Sequence, residues 1–149
     1  MDSSRAGGPA LPEVETIFFA QHSIVSAATG NISFIEVFTQ LLPPSLPSVF
    51  SFHVTAVLRG RVTHLIDYGL RILGSDGSIL WSGAIPIPEQ RDDLLYVDML
   101  VGPITVERGH ELRAIVALNG QEKHQRAVQL RVGAAPAALR AATSLVAAK

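Results

Sequence analysis

Short stretches in which apolar and polar residues alternate recur along this chain and constrain its fold more than any other feature. Residues 50–58 give the clearest case, with one face carrying Phe50, Phe52, Val54, Ala56 and Leu58 and the other carrying Ser51, His53 and Thr55. A period of two is typical of a strand that packs one face on a core and turns the other to water. Roughly seven or eight such stretches, about 12 residues apart, predict an all-β antiparallel β-sandwich.

Turn residues separate these stretches. The Asp76-Gly77 and Asn119-Gly120 pairs are strong hairpin signals, because tight primed turns need positive φ at both central residues. Residues 32–38 are apolar on both faces, which favours a central strand, although periodicity alone also allows a helix. The other predicted strands are residues 16–20, 62–72, 78–81, 95–101, 112–118 and 128–132.

Composition supports one folded domain with looser ends. The chain has 149 residues, of which 48% are hydrophobic and 17% charged, so it can bury a core of its own. Residues 1–13 are rich in Gly, Pro and Ser, and we expect a disordered lead-in. The sandwich is predicted over residues 14–133. Residues 134–149 form an Ala-rich tail, either frayed or a helix that docks on a partner or on its own sandwich.

Charge and cysteine content limit the class of partner. The net charge of −1 gives no basic face for nucleic acid, and near-neutrality mildly favours self-association. The chain has no cysteine, which excludes disulfides and permits a reducing compartment. No run of about 20 apolar residues is present to span a membrane, and the start of the chain lacks the pattern of a signal peptide. We expect a cytoplasmic protein that binds neither membranes nor nucleic acid.

Catalytic motifs are missing from the sequence. The five histidines lack the paired spacing of a zinc site, so we expect no metal and no cofactor. Asp67 and Asp98 are interpreted as lone outward-facing acids that keep the sheet faces soluble. No Gly-x-Ser-x-Gly elbow occurs, and combinations of Ser, His and Asp drawn from such a chain have no specificity. We therefore predict that the chain is not an enzyme.

Apolar surface features suggest protein contacts instead. The connection over residues 41–47 is unusually apolar, and it either caps the open end of the sandwich or forms an exposed patch. Val57 and Leu65, on nominally outer faces, weakly favour the exposed patch, and an edge strand could accept a partner strand. The candidate partner-binding residues are Leu41, Leu42, Pro44 and Leu46 in this connection, and Leu139 and Val146 in the tail.

The order of these segments resembles a family of small bacterial β-sandwich domains of unknown function. Its pattern has a strand before a small-polar turn, a strand written "lsilGvF", and a proline-bearing connection before an alternating strand. A later Asp-Gly hairpin and a closing Asn-Gly pair complete it. The matching segments are residues 19–21, 30–38, 47–58, 71–80 and 112–132, with Glu36 standing where the family carries glycine. The resemblance implies a β-sandwich and no known activity or site residues.

Three functions remain open at this point. The leading hypothesis is a non-catalytic interaction domain of bacterial origin, acting as an oligomer or as a subunit of a larger complex. The alternative is a ligand-binding sandwich with a pocket at the loop end near Tyr68, Trp81 and Tyr96, since aromatic rings can stack a small ligand. The third is a small hydrolase with a dispersed site.

Overall fold

The fold is an all-β sandwich, as the alternation predicts. A computed structural model describes residues 10–132, and this part of the chain contains nine strands and no helix. The strands are β1 (Glu13–Val25), β2 (Ile32–Phe38), β3 (Gln40–Leu41), β4 (Ser48–Arg59), β5 (Ile66–Leu73), β6 (Ile79–Ile87), β7 (Leu94–Val106), β8 (Glu111–Leu118) and β9 (Gln121–Leu130). The strand number exceeds the predicted seven or eight because β3 has only two residues.

Two sheets pack face to face. Sheet A has the order β2-β1-β4-β7 and is antiparallel throughout. Sheet B has the order β3-β9-β8-β5-β6, and only the short β3–β9 pair is parallel. Strand β1 begins at Glu13, and Leu11, within the predicted lead-in, packs against the core.

The core is formed by the inward-facing residues of both sheets. On β4 the predicted inner face is buried at Phe52, Val54, Ala56 and Leu58, each with at most 1% of its surface exposed. Sheet B contributes the alternating set Ile66, Tyr68, Leu70 and Ile72 on β5, with Leu112, Ala114, Val116 and Leu118 on β8. Removing these apolar faces from water is the main stabilising term of the sandwich.

The two hairpin signals correspond to observed turns, with different geometry. Asn119 and Gly120 both have positive φ, 50° and 80°, as a primed turn between β8 and β9 requires. In the β5–β6 turn only Gly77 does, with φ 86°. That turn is held by Asp76, whose Oδ1 accepts hydrogen bonds from the Ser78 amide (2.9 Å) and hydroxyl (2.7 Å). These bonds lower the pKa of the Asp76 carboxyl.

Strand β2 is at the edge of sheet A, so its interpretation as a central strand is wrong. It pairs with β1 from Phe19–Phe38 to Val25–Ile32, but the pairing is interrupted at position 36. Glu36 has a backbone φ of 57°. This is the left-handed region, which residues other than Gly, Asn and Asp rarely adopt. The β1–β2 hairpin therefore has a bend built around a strained glutamate.

Replacing Glu36 by glycine should stabilise the protein. Left-handed backbone costs an L-residue about 1–2 kcal/mol, and glycine loses about 0.5–1 kcal/mol more chain entropy on folding. We expect Glu36→Gly to raise the free energy of unfolding by about 0.5–1 kcal/mol in urea denaturation. Ser33→Gly, in the same strand but without positive φ, is the control and should lower it. An equal loss of unfolding free energy in Glu36→Gly and Ser33→Gly would contradict a strained bend.

Tyr68 carries a second unfavourable feature of the fold. Its side chain is fully buried and its hydroxyl oxygen has no hydrogen-bond partner among residues 10–132. Burial raises the pKa of Tyr68 well above its ordinary value, and the negative charge of Asp98 adds to this shift. Because the folded phenol keeps its proton while an unfolded one releases it near pH 10, stability should fall as the pH rises above about 10.

Tyr68→Phe should therefore stabilise the protein, by about 1 kcal/mol at neutral pH, since an unsatisfied buried hydroxyl is removed. Above pH 10 its advantage should grow by up to about 1.4 kcal/mol per pH unit, because the variant has no phenol to ionise at this position. Urea unfolding between pH 8 and pH 11 measures both effects. A pH profile of Tyr68→Phe that runs parallel to that of the wild type would contradict this account of the buried phenol.

Candidate functional site

The distal part of the β1–β2 hairpin, residues 21–37, forms an arm that folds back over the outer face of sheet A. Strand β1 pairs with β4 only as far as Ala20–His53 and then leaves the sheet. Beyond that point Ser23 reaches Asp98 on β7, which lies two strands away from β1 in sheet A. Continued in a straight line, β1 would carry Ser23 far from Asp98, so the strand must bend.

Four polar side chains clamp the arm to the sheet. The Ser23 hydroxyl donates to Asp98 Oδ2 at 2.6 Å, and the Thr55 hydroxyl donates to Asp98 Oδ1 at 3.0 Å. His53 Nδ1 lies 3.0 Å from Asp98 Oδ2 and 3.3 Å from the Ser23 oxygen. Because a carboxylate only accepts hydrogen bonds, Nδ1 carries the proton in this arrangement. We call Ser23, His53, Thr55 and Asp98 the clamp.

The register places the clamp beneath the arm. Thr55 pairs with Phe18 on one side and with Asp98 on the other, so these three residues form one row on the outer face. Thr55 is fully buried, and the side chains of His53 and Asp98 are only 18% and 19% exposed. The prediction that Asp98 is a solvated surface acid is therefore wrong. The arm covers it, and three side chains donate hydrogen bonds to it.

The clamp does not have the geometry of a serine hydrolase. In such enzymes the serine and the carboxylate contact different nitrogens of the histidine ring, so that a proton can pass across the ring. Here Ser23 and Asp98 both contact Nδ1 of His53. The arrangement fixes the position of the arm and provides no relay through the imidazole.

An aromatic cluster lies beside the clamp. The ring of Phe34, on the arm, meets the ring of Phe18 edge-on at 4.7 Å between centroids and lies 6.4 Å from that of Tyr96. The arm does not close completely over these rings. It leaves an open cleft of about 840 Å³, the arm cleft, lined by Phe18, Gly30, Asn31, Ile32, Ser33, Phe34, Leu94, Leu95 and Tyr96. The lining has no charged residue, and Leu94 and Tyr96 remain 40% and 45% exposed.

Further apolar side chains on the arm face solvent. Ile24 is 54% exposed, Ile35 40% and Val37 57%. Ile24 and Ile35 share one side of the hairpin, because Ile35 pairs with His22 and Ile24 pairs with Ser33. Within residues 10–132, β2 pairs only with β1, so its other edge presents free backbone groups.

Those predicted partner-binding residues that lie within residues 10–132 are not gathered on one surface. Leu41 is 6% exposed and belongs to the core, and Leu46 packs against the core, so the connection largely caps the sandwich. Placing Leu41 on a partner surface is therefore wrong. Leu42 and Pro44 are exposed. Leu139 and Val146 lie outside the described residues.

The three aromatics of the predicted ligand pocket are also separated. Tyr68 is buried between the sheets, Trp81 packs at the edge of the core, and only Tyr96 lines the arm cleft. The loop end does contain a cavity of about 460 Å³ between the β5–β6 and β7–β8 turns, lined by Gly74, Ser75, Asp76, Ser78, Leu80, Thr105, Val106, Glu107, Arg108 and Gly109. Ser75 joins the two turns, since its hydroxyl accepts from the amides of His110 and Glu111.

The arm was not predicted from the sequence, but one signal points to it. Val57 is apolar on the nominally outer face of β4 and is 6% exposed in the structure, so part of that face is covered. The apolar residues on both faces of residues 32–38 give no such signal, because Ile35 and Val37 on the second face are 40% and 57% exposed.

Comparisons with known proteins add no identity to this site. No protein-family model matches the sequence, and no curated protein matches it either. Residues 10–132 contain no group of three or more His, Asp or Glu side chains able to hold a metal ion. The same residues include no helix long and apolar enough to cross a membrane.

Asp98→Ala should loosen the arm and destabilise the fold. The substitution leaves the fully buried Thr55 hydroxyl without its acceptor and removes the acceptor of Ser23, which should cost about 2–4 kcal/mol. Asp67→Ala, at an exposed acid on β5, should change the free energy of unfolding by less than about 0.5 kcal/mol. Urea unfolding compares the two variants. Loss of the contact between the Phe34 and Phe18 rings in the nuclear Overhauser spectrum of Asp98→Ala would show that the arm has detached.

Proposed function

We propose that this chain is a non-catalytic protein-interaction domain whose partner contacts the arm and the arm cleft. The observation that carries the proposal is the cleft, whose lining of three aromatic and three aliphatic side chains includes no charged residue and leaves Leu94 and Tyr96 exposed to solvent. Aromatic and aliphatic anchors buried in uncharged pockets supply most of the binding energy at protein interfaces. An apolar segment of a protein is the occupant that fits this lining.

The surroundings of the cleft support the same function. Ile24, Ile35 and Val37 add exposed apolar surface on the arm, and the free edge of β2 offers backbone groups to an added strand. The absence of cysteine suits a reducing compartment, and we place the protein in the cytoplasm of a bacterium, acting as an oligomer or as a subunit of a larger complex.

Native mass spectrometry of the tagged chain, purified from its own host, tests this function. We expect a stoichiometric protein partner or a homo-oligomer with the wild-type chain. Introducing Leu94→Asp and Tyr96→Asp together should weaken the assembly by at least roughly tenfold, because both charges enter an uncharged cleft. Leu65→Asp with Ile79→Asp is the matched control, since these residues are 65% and 58% exposed and lie outside the cleft.

Two outcomes would contradict the proposal. A bare monomer in every sample would show that the surface binds no protein. An assembly that survives the cleft variant and is lost in the control variant would place the contact elsewhere on the sandwich.

Small-ligand binding is the second candidate, and the loop-end cavity favours it. Ser75 fixes the relative position of the two turns before any ligand arrives, and Leu80 and Val106 give the cavity an apolar wall among polar groups. The same mass spectra distinguish this candidate, because a retained small molecule adds a fixed mass to the monomer.

A further inference from the structure

The bend of the arm combines a strained residue with an interruption of strand pairing. Glu36 holds φ 57° between the pairs Ala20–Val37 and His22–Ile35, and no pair is formed at its own position. In a straight hairpin Glu36 would have ordinary extended backbone and would not be strained. The folded-back arm is therefore bent at one defined hinge, and straightening that hinge is favourable locally.

The contacts that close the arm join two separate bodies, the arm and sheet A. Ser23 and Phe34 lie on the arm, whereas His53, Asp98 and Tyr96 lie on β4 and β7. None of these contacts depends on the arm and the sheet belonging to the same chain. An arm from a second copy would supply the same hydroxyl to Asp98 and the same ring to Phe18 and Tyr96.

A straightened arm is long enough to reach another copy. The five residues from Gln21 to Val25 extend about 16 Å beyond Ala20 at strand spacing, slightly more than the roughly 14 Å between the outermost strands of a four-stranded sheet, and the turn that follows adds to this reach. The outer face of the partner's sheet is vacated at the same time, since its own arm also leaves. Exchange therefore preserves the clamp and the aromatic contacts in both copies and relieves two strained hinges.

We propose that the partner of this domain is a second copy of the same chain, and that the two copies exchange their β1–β2 arms. This inference rests on the proposed function and names its partner. Exchange of an identical element between protomers needs no new contact surface and is promoted by strain in the hinge. Association of the two copies costs translational freedom, so the fraction of dimer depends on the protein concentration.

Sedimentation equilibrium on the full chain gives the first test. We expect a monomer–dimer equilibrium for the wild type and a dimer dissociation constant at least roughly 30-fold higher for Glu36→Gly, because the closed arm is then unstrained in both copies. Glu13→Gly, at an exposed strand glutamate outside the arm and without positive φ, controls for the replacement of a glutamate by glycine and should leave the constant within about threefold. An unchanged constant in Glu36→Gly, or a monomer at millimolar concentration, would overturn exchange.

A paramagnetic label tests the position of the arm directly. The chain has no cysteine, so Thr29→Cys at the arm tip provides a single site for a nitroxide. Labelled copies at natural isotope abundance are mixed with unlabelled, ¹⁵N-enriched copies and allowed to exchange. The tip lies beside Leu94 in the cleft, so exchange broadens the ¹⁵N amides of Leu94 and Tyr96. Dimerisation that leaves these two amides sharp would mean that the copies associate without swapping arms.

The outcomes separate this inference from the proposed function. A monomer that still binds a different protein through the cleft, with binding lost on Leu94→Asp and Tyr96→Asp, would overturn arm exchange and leave the interaction function standing. A bare monomer in both experiments would remove both.

Discussion

The packing of sheet A on sheet B determines how the other described parts of the chain are placed. On β1 it requires Ile17 and Phe19 to face inward, and alternation then turns Phe18 outward. On β4 the same rule turns Thr55 and Val57 outward, onto the face opposite the core. An outer face that contains an aromatic ring and a valine has apolar surface left to bury. The arm buries this surface. Because core packing is what turns these apolar side chains outward, it indirectly determines the path of the β1–β2 hairpin beyond Ala20.

Closing the arm requires stabilisation that exceeds the strain at its hinge. Left-handed backbone at Glu36 costs about 1–2 kcal/mol. The hydrogen bond from Ser23, the only one of the three Asp98 donors that lies on the arm, contributes about 1.5–3 kcal/mol, and the edge-on contact of Phe34 with Phe18 adds about 0.5–1.5 kcal/mol. The closed form is therefore favoured over a detached arm. The contacts between arm and sheet do not depend on which copy supplies the arm, whereas the strain at Glu36 belongs to an arm that folds back on its own sheet.

The sequence predicted the parts of the fold that depend on local patterns. Alternation at residues 50–58 identified the inner face of β4, and the positive φ of Asn119 and Gly120 follows from their suitability for a primed turn. The clamp could not be predicted this way, because Ser23 comes from a distant segment and reaches His53 and Asp98 only when β1 bends. Nothing in the local sequence marks Glu36 as a hinge, since glutamate has no preference for left-handed backbone.

The apolar connection shows a different limit of sequence reasoning. Leu41, Leu42 and Leu46 have similar side chains, and composition alone treats them as one patch. Their burial differs because β3 pairs in parallel with β9, and this pairing places Leu41 opposite Leu130 at the edge of the core. A two-residue strand carries no detectable period, so the separation of a buried leucine from an exposed neighbour depends on long-range pairing.

Asp98 connects the outer clamp with the core beneath it. Its carboxylate lies on the outer face of sheet A, whereas Tyr68 belongs to sheet B and lies in the core. Burial raises the pKa of the Tyr68 phenol, and the charge of Asp98 adds to this shift. A negative charge can be held under the arm because Ser23, Thr55 and His53 all direct hydrogen atoms toward it. The Tyr68 phenol stays neutral in the folded protein, chiefly because its burial away from water disfavours the anion and secondarily because the charge of Asp98 repels that anion. The outer clamp and the core thus act in the same direction on the pKa of Tyr68, although they lie on opposite faces of sheet A.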